Sequence, residues 1–414
     1  MRFLVLNRNP LSERRFTEWT GPGDRLVLVT DAAALSPDPA VRAEQLRGYE
    51  HVEVVEGAYF TAAVERLVVE LHARFGFEQI IAMSEFDILR AARIRELLGL
   101  EGQTSESALA YRDKLHMKRH LRGAGVPVAD FAPVAHLTDL LAFIRQHDFP
   151  IVVKPRRAGG SMGVQVLRDE ADLWAYVADT PELASEDGAW LLAETYVEND
   201  LFHMDGVVLD GKCRLIWPSA LTSCLGPQQG EPLVSRLLDR DDPWFQPLVE
   251  MTVRALAGLP SPDCFIFHAE VFRTPGNELV FNEVASRMGG GMIEQAFGLA
   301  FGITPPEIYV RSVAKTPLLL PEAPEVMTGW ALMPPRPGRL VGIPAECPVP
   351  GVSAYRTYAT RGTVLSSAQL SVDKVASVVV GERTGAEVER VLRAAVSWFE
   401  DSVEIAAADG ELEA

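Results

Sequence analysis

Along the first hundred residues, apolar positions follow two alternating patterns. Short β-rich runs lie at 3–6, 25–30, 51–55 and 79–83, while residues 62–75 carry apolar side chains at the spacing of one helix face. Strands that alternate with helices are typical of a parallel α/β sheet. Because no G-x-G-x-x-G follows the first strand, this pattern predicts a Rossmann-like domain without a dinucleotide site.

The next segment predicts a helix near 105–123 and then a strand, a glycine-rich turn and a second strand over 149–167. Further elements are predicted in this order: a helix at 169–179, a strand at 190–197, two antiparallel strands that turn at 210–211, a helix near 243–257 and a helix at 292–302.

A β-hairpin is predicted over 267–285, where two apolar runs flank the turn TPGN. Each strand carries one carboxylate among apolar neighbours, Glu270 in HAEVF and Glu283 in FNEVA. A buried carboxylate is costly unless it is paired or binds a metal, and oxygen ligands suit Mg²⁺. A hairpin with two salt-bridged glutamates is the alternative.

Lys154 ends an apolar strand, and a glycine cluster follows it. Gly159, Gly160, Ser161 and Gly163 allow backbone N–H groups to approach an anion closely. The order of residues is not that of a P-loop. The pattern favours a loop that covers phosphate, with an ordinary flexible hairpin turn as the alternative.

Basic residues Lys114, Lys118 and Arg119 cluster on the predicted helix before this strand. His116 and His120 on the same helix are four residues apart, as metal ligands can be. No third ligand is evident, so they are interpreted as surface histidines.

The 414-residue chain has a formal net charge of −18, which argues against a nucleic-acid surface and favours a small-molecule partner. Its four cysteines are far apart, without zinc-site or disulfide spacing. The N-terminus reads as a first strand rather than a signal peptide, and no stretch is long enough to span a bilayer. A cytoplasmic protein is expected.

Pro317, Pro321 and Pro324 indicate a linker, followed by about ninety residues of α+β pattern that end in an amphipathic helix at 385–403. The tail, residues 406–414, is expected to be disordered.

Five motifs occur in order: Lys114, VVKP with GGSMG, ETYV, HAE and NEVASR. With them the chain resembles the ATP-grasp superfamily, and within it the carboxylate–amine ligases of the L-amino-acid ligase (dipeptide synthetase) group. The resemblance implies a mixed α/β and α+β architecture: a Rossmann-like pre-ATP-grasp domain (1–107), an ATP-grasp domain (108–312), a small C-terminal α+β domain (313–405) and the tail.

The resemblance also implies a reaction. ATP would convert a carboxylate into an acyl phosphate, and an amine would displace phosphate to form an amide, with amino acids as the expected substrates. ATP and two Mg²⁺ are the implied cofactors, and Mn²⁺ is expected to be able to replace Mg²⁺. Small-molecule carboxylates and amines are the implied partners, without nucleic acid or membrane.

Roles for individual residues follow from the resemblance. Phosphate contacts are implied for Lys114, Lys154 and the loop Gly159, Gly160, Ser161 and Gly163; adenine contacts for Glu194, Tyr196 and Val197; Mg²⁺ binding for Glu270 and Glu283; charge neutralisation on the γ-phosphate for Arg287; and proximity to the carboxylate substrate for His268, Arg287, Gly289, Gly290 and Gly291.

Two positions depart from the pattern of the superfamily. Ala285 stands where many members have a metal-binding asparagine, and Leu201 stands where an acidic residue commonly holds the ribose. Asp200 or His203 could replace the latter.

Several alternatives stay open. The acceptor could be a carrier-protein thiol or a biosynthetic amine, and the change at Ala285 is compatible with a regulatory nucleotide-binding module. The biotin carboxylase branch is not favoured, since no biotinyl-lysine segment is evident. The sequence does not determine the substrates or the oligomeric state, for which a homodimer is the commonest arrangement.

Overall fold

The computed structural model describes residues 1–57, 61–180, 183 and 189–407. Its strands are β1 Arg2–Asn7, β2 Arg25–Asp31, β3 His51–Val55, β4 Gln79–Ala82, β5 Phe131–Val134, β6 Ile151–Pro155, β7 Gln165–Leu167, β8 Leu191–Thr195, β9 Asp200–Leu209, β10 Lys212–Leu221, β11 Leu233–Leu237, β12 Phe265–Arg273, β13 Leu279–Ala285, β14 Met327–Met333, β15 Gly338–Gly342, β16 Val352–Thr357, β17 Val364–Leu365, β18 Ala376–Glu382 and β19 Glu404–Ala406.

The helices are α1 Phe16–Trp19, α2 Pro39–Gln45, α3 Ala62–Phe75, α4 Ile88–Leu98, α5 Ser105–Arg112, α6 Lys114–Gly123, α7 Leu137–His147, α8 Glu170–Asp179, α9 Phe245–Ala257, α10 Ile293–Phe301, α11 Pro305–Val313 and α12 Gly385–Ser402. Short 3-10 turns occur at Leu11–Glu13, Ala32–Ala34 and Gly226–Gln229. No helix in the described ranges has the length and apolar character needed to cross a bilayer.

The first domain contains a parallel sheet in the order β3-β2-β1-β4, which confirms the predicted Rossmann-like arrangement. Apolar side chains of β1 and β2 pack on α3 and α4 to form one core cluster. Residues 58–60 of this domain lie outside the described ranges.

A four-stranded antiparallel sheet in the order β5-β8-β6-β7 carries helices α7 and α8. We call this unit, residues 131–195, the lid subdomain. Its buried residues, among them Val134, Leu140 and Ile151, form a core cluster of their own.

The largest sheet has eight strands in the order β13-β12-β9-β10-β11-β14-β18-β16, and we call it the central sheet. Strand β14 follows the predicted proline linker, yet it pairs directly with β11. Backbone hydrogen bonds therefore join the strands of the predicted small C-terminal α+β domain to the strands that precede it in the central sheet, and its bounds stay a prediction. Residues 408–414 of the predicted disordered tail lie outside the described ranges, and Ala406 belongs to β19.

The helix predicted near 105–123 is in fact two helices, since Asp113 between α5 and α6 is extended (φ −112°, ψ 109°). The Asp113 carboxylate accepts hydrogen bonds from the backbone N–H groups of Leu115 and His116, which caps α6. The same carboxylate binds the guanidinium of Arg156. This break places Lys114 at the first position of α6, next to the end of β6.

Candidate active site

The predicted hairpin is present as the antiparallel pair β12 and β13 at one edge of the central sheet. Glu270 and Glu283 are directly opposite each other in its register, with a bulge immediately after Glu270. Their side chains keep limited solvent access, 15% for Glu270 and 27% for Glu283. Lys154 of the lid subdomain contacts Asn282 of this hairpin, and we call the region between the two carboxylates and the lid subdomain the cleft.

Lys114 and Lys154 enter this cleft from different elements. The Lys114 ammonium lies 3.2 Å from Oε2 of Glu283 and donates to the carbonyl of Ala158 at 2.7 Å. The Lys154 ammonium, at the end of β6, lies 3.5 Å from Oδ1 of Asn282. Burial opposes ionisation of Glu283, but the charges of Lys114 and Lys154 outweigh it and lower the pKa of Glu283 to about 2.

Glu194 is buried between two lysines. Its Oε2 lies 3.0 Å from the Lys154 ammonium, and its Oε1 lies 3.3 Å from the ammonium of Lys118 on α6. Tyr196, just after β8, is exposed, and its N–H donates to the carbonyl of Pro150 at 3.3 Å, while the Val197 carbonyl accepts from the Asn199 amide. The adenine contacts expected of this stretch stay a prediction.

Asp205 on β9 bridges two imidazoles. Its carboxylate lies 2.6 Å from Nδ1 of His203 and 2.9 Å from Nδ1 of His268, and Nε2 of His268 lies 3.6 Å from Glu270. Burial disfavours charge on His268, but Asp205 and Glu270 raise the pKa of His268 to about 9. Burial also disfavours charge on Asp205, yet the two histidines hold the pKa of Asp205 below its usual range. The network links His203 and His268 to the predicted metal ligands.

The network occupies both ring nitrogens of His203. Nε2 of His203 is 2.7 Å from the Ser235 hydroxyl, and Nδ1 pairs with Asp205, so the ribose contact considered for His203 stays a prediction. Asp200, the other candidate, lies at the exposed start of β9 and pairs with Arg273. Leu201 is buried.

Arg287, after β13, is held by a carboxylate that the sequence did not reveal. Glu85 of the first domain bridges the guanidinium groups of Arg287 and Arg112. Arg287 also donates to the carbonyl of Met288 at 2.7 Å. A Cβ atom on Gly159 would lie 3.9 Å from Arg287, so Arg287 lies directly beside the glycine-rich loop.

The glycine-rich loop, residues 159–163, has left-handed backbone conformations at Gly160, Ser161 and Gly163. Two other parts of the chain contact it: the N–H of Ser371 donates to the carbonyl of Gly160 at 3.0 Å, and the Gln228 side chain donates to the carbonyl of Ser161 at 3.5 Å. The loop is therefore held against both the central-sheet connections and the C-terminal segment.

The second glycine run, Gly289 to Gly291, packs so closely against its neighbours that little room is left for a Cβ atom. A Cβ atom on Gly289 would lie 2.6 Å from Nδ1 of His268, and one on Gly291 would lie 2.8 Å from the indole of Trp330. A Cβ on Gly290 would meet Val372 at 3.0 Å. This close approach brings the run beside His268, and the expected contact with the carboxylate substrate stays a prediction.

The structure thus brings Lys114, Lys154, Glu194, Glu270, Glu283, His268 and Arg287 together around one cleft. Sequence reasoning missed the roles of Glu85, Arg112, Lys118, Asp205 and Asn282 there. Asn282 alternates with Glu283 along β13, but it donates to Oε2 of Glu270 at 2.9 Å. His116 and His120 are half-buried on α6, outside this cleft.

The chain is similar to several known proteins. Residues 113–209 match the family model "Carbamoyl-phosphate synthase L chain, ATP binding domain". An L-arginine-specific L-amino acid ligase of Bacillus subtilis is 28% identical over 70% of this chain and 71% of that protein. An alanine–anticapsin ligase of Bacillus subtilis (strain 168) is 25% identical over 56% of this chain and 54% of that protein.

Among solved structures, an L-amino acid ligase from Bacillus licheniformis superposes with a TM-score of 0.79 at 17% identity, covering 99% of both chains. At that identity the match shows the fold alone. The predicted mixed α/β fold class is confirmed.

Proposed function

We propose that the chain is an ATP-grasp enzyme related to the L-amino acid ligases and that it catalyses ATP-dependent amide formation between two small molecules. In the first step a substrate carboxylate oxygen attacks the γ-phosphorus of ATP, which gives an acyl phosphate and ADP. In the second step an amine attacks the acyl carbon, the C–O bond to phosphate breaks, and the amine loses a proton. Amino acids are the proposed substrates.

The observation that carries this proposal is the convergence of opposite charges on one cleft. Glu270 and Glu283 lie opposite each other, while the Lys114 and Lys154 ammonium groups approach from α6 and β6. In phosphoryl transfer the protein itself does little covalent chemistry. Catalysis depends on positioning the reactants and on stabilising the charge of the transition state. These residue types are suited to that task.

The residues at this hairpin fit Mg²⁺. Glu283 remains ionised because Lys114 and Lys154 lower its pKa, and Asn282 orients the carboxylate of Glu270. We propose that Glu270 and Glu283 hold the magnesium. When bound, Mg²⁺ supplies Lewis-acid stabilisation of charge on the β- and γ-phosphates.

The other roles in the proposed reaction are assigned to the following residues. Lys114 and Lys154 bind phosphate oxygens, and the glycine-rich loop at 159–163 covers them and excludes water, which would hydrolyse an acyl phosphate. Arg287 stabilises negative charge on the transferred phosphoryl group. His268 and Gly289–Gly291 form the wall against which the carboxylate substrate is oriented.

A different acceptor is the closest competing function. With a carrier-protein thiol as the acceptor, the carboxylate would be activated by the same first step. A regulatory nucleotide-binding module would bind ATP without turnover. Ala285 favours the module, but the retention of both glutamates, both lysines and Arg287 favours turnover.

The test is phosphate release from ATP and Mg²⁺ across a panel of amino acids, singly and in pairs, with products identified by mass. L-Arginine belongs at the head of the panel because one relative is named for it. We expect release that requires two amino acids and yields a dipeptide mass. Nucleotide binding without release across the panel would favour another acceptor or the regulatory module.

Three finer points belong to the same proposal. Mn²⁺ can replace Mg²⁺, because both accept oxygen ligands. We propose the cytoplasm as its location, since ATP is available there, and a homodimer as its assembly, since this is the commonest arrangement.

A further inference from the structure

Lys118 is a fully buried lysine that the proposed reaction does not use. It lies one helical turn after Lys114 on α6, and its side chain is 1% exposed. Its ammonium is 3.3 Å from Oε1 of Glu194, and it makes no hydrogen bond within the described protein. An ammonium has three N–H donors, and burying it with so few partners is costly.

Lys118 and Lys154 share a single carboxylate. Lys154 holds Oε2 of Glu194 at 3.0 Å while Lys118 faces Oε1, and all three side chains are buried. These three groups alone sum to one positive charge, and the carboxylates of Glu283 and Glu270 also act on Lys154. Burial lowers the pKa of Lys118 to about 8 even though Glu194 opposes the shift.

The proposed reaction requires the Lys154 ammonium to bind phosphate oxygens. If Lys154 were the sole partner of Glu194, that transfer would leave a buried carboxylate without a counter-charge, which is strongly unfavourable. Lys118 comes from a different element, so it stays beside Glu194 when Lys154 changes partner.

We propose that Lys118 is a positioning residue for nucleotide binding, which retains Glu194 while Lys154 is transferred to the phosphates of ATP. This inference rests on the proposed function in one respect, namely that nucleotide phosphates bind at Lys154. A simple structural ion pair would stabilise the fold but would not couple the two lysines to nucleotide affinity.

The experiment is a double-mutant cycle in the full chain, with variants K118M, E194Q and K118M/E194Q. Binding of a non-hydrolysable ATP analogue with Mg²⁺ is measured by calorimetry, and thermal unfolding is recorded for each variant. R119M is the matched control, because Arg119 is an exposed cation on the same helix.

We expect K118M to weaken analogue binding at least about tenfold, since Glu194 then competes with the phosphates for Lys154. In the E194Q background the competing carboxylate is gone, so adding K118M should cost less than about threefold. Where turnover is measured, K118M should raise the KM for ATP while kcat changes little. R119M should bind as the wild type does.

Unchanged binding by K118M, or an equal loss in both backgrounds, would overturn the inference. Because K118M can impair folding, the E194Q and K118M/E194Q pair stands as a separate test, and a tenfold difference between those two would also overturn it. Failure of the wild-type protein to bind the analogue would instead contradict the proposed function, so the two failures are distinguishable.

Discussion

Glu283 faces the cleft with a carboxylate that stays ionised far below neutral pH, because Lys114 and Lys154 lower its pKa. We predict that E283Q keeps the fold but lowers ATP-dependent phosphate release at least about 100-fold, as loss of a group that stabilises transition-state charge typically does. The measurement is phosphate release with circular dichroism as the folding check.

E278Q is the matched control for this change. Glu278 lies at the exposed turn of the same hairpin, so the substitution removes one acidic charge without touching the cleft. Turnover near the wild-type rate in E283Q would show that the assignment of the metal ligands is wrong.

The raised pKa of His268 predicts that the stability of the metal-free protein depends on pH. The pKa of His268 is about 9 in the folded chain, against 6.5 for an unperturbed histidine. Between pH 6.5 and about pH 9, the folded state therefore holds a proton that the unfolded state has lost. The stabilisation is complete below pH 6.5 and is lost as the pH rises to about 9, with a slope of at most about 1.4 kcal/mol per pH unit.

Urea unfolding between about pH 6 and pH 9.5 measures this effect, with H268Q as the comparison. The wild-type free energy of unfolding should fall with rising pH more steeply than that of H268Q. Equal slopes in both proteins would show that His268 does not keep its proton in the folded state.

At the residue scale, the sequence predicted the groups that lie in local motifs. Glu270 and Glu283 were found because buried carboxylates stand out on apolar strands, and Lys154 because it ends a strand before glycines. Glu85, Lys118 and Asp205 could not be found in this way. Each acquires its role from a partner far away in sequence, such as Arg287 for Glu85, and no local pattern encodes that pairing.

At the scale of elements, the glycine-rich loop is held by a short 3-10 turn. The Gln228 side chain donates to the carbonyls of Ser161 and of Gln369, at 3.5 and 3.2 Å, and so ties the loop to the C-terminal segment. We predict that Q228A loosens this contact and raises the KM for ATP about threefold to tenfold, since a hydrogen bond contributes roughly 1 kcal/mol. Trypsin should also cleave faster after Arg157, two residues before the loop.

Q229A is the control, since Gln229 is the exposed neighbour on the same turn. Equal tryptic cleavage rates in both variants would argue that Gln228 does not hold the loop.

Helices and strands around this loop were predicted well, because each has a periodic apolar pattern. The break at Asp113 was not predicted, since a carboxylate that caps one helix and binds Arg156 leaves no signal in the periodicity.

At the scale of the whole molecule, the central sheet joins regions that the sequence divided at 312–313. The proline-rich segment lies between the end of α11 and the start of β14. Hydrophobic patterning along a chain does not reveal which strands pair, and β14 pairs with β11. Helix α12 then packs across β14 and β18, and one apolar cluster runs from Phe3 to Phe399. The lid subdomain, by contrast, has its own core.

This architecture predicts one cooperative unit that includes the C-terminal strands. In native-state hydrogen exchange, the amides of β14 and β18 should open with the same free energy as those of β9 and β12, because removing β14 would expose the edge of β11 and the apolar face of α12. The lid subdomain, with its separate core, should open at lower free energy and serves as the internal reference. Exchange of β14 and β18 well before β9 would instead mean that residues 313–405 fold independently and are merely docked on the sheet.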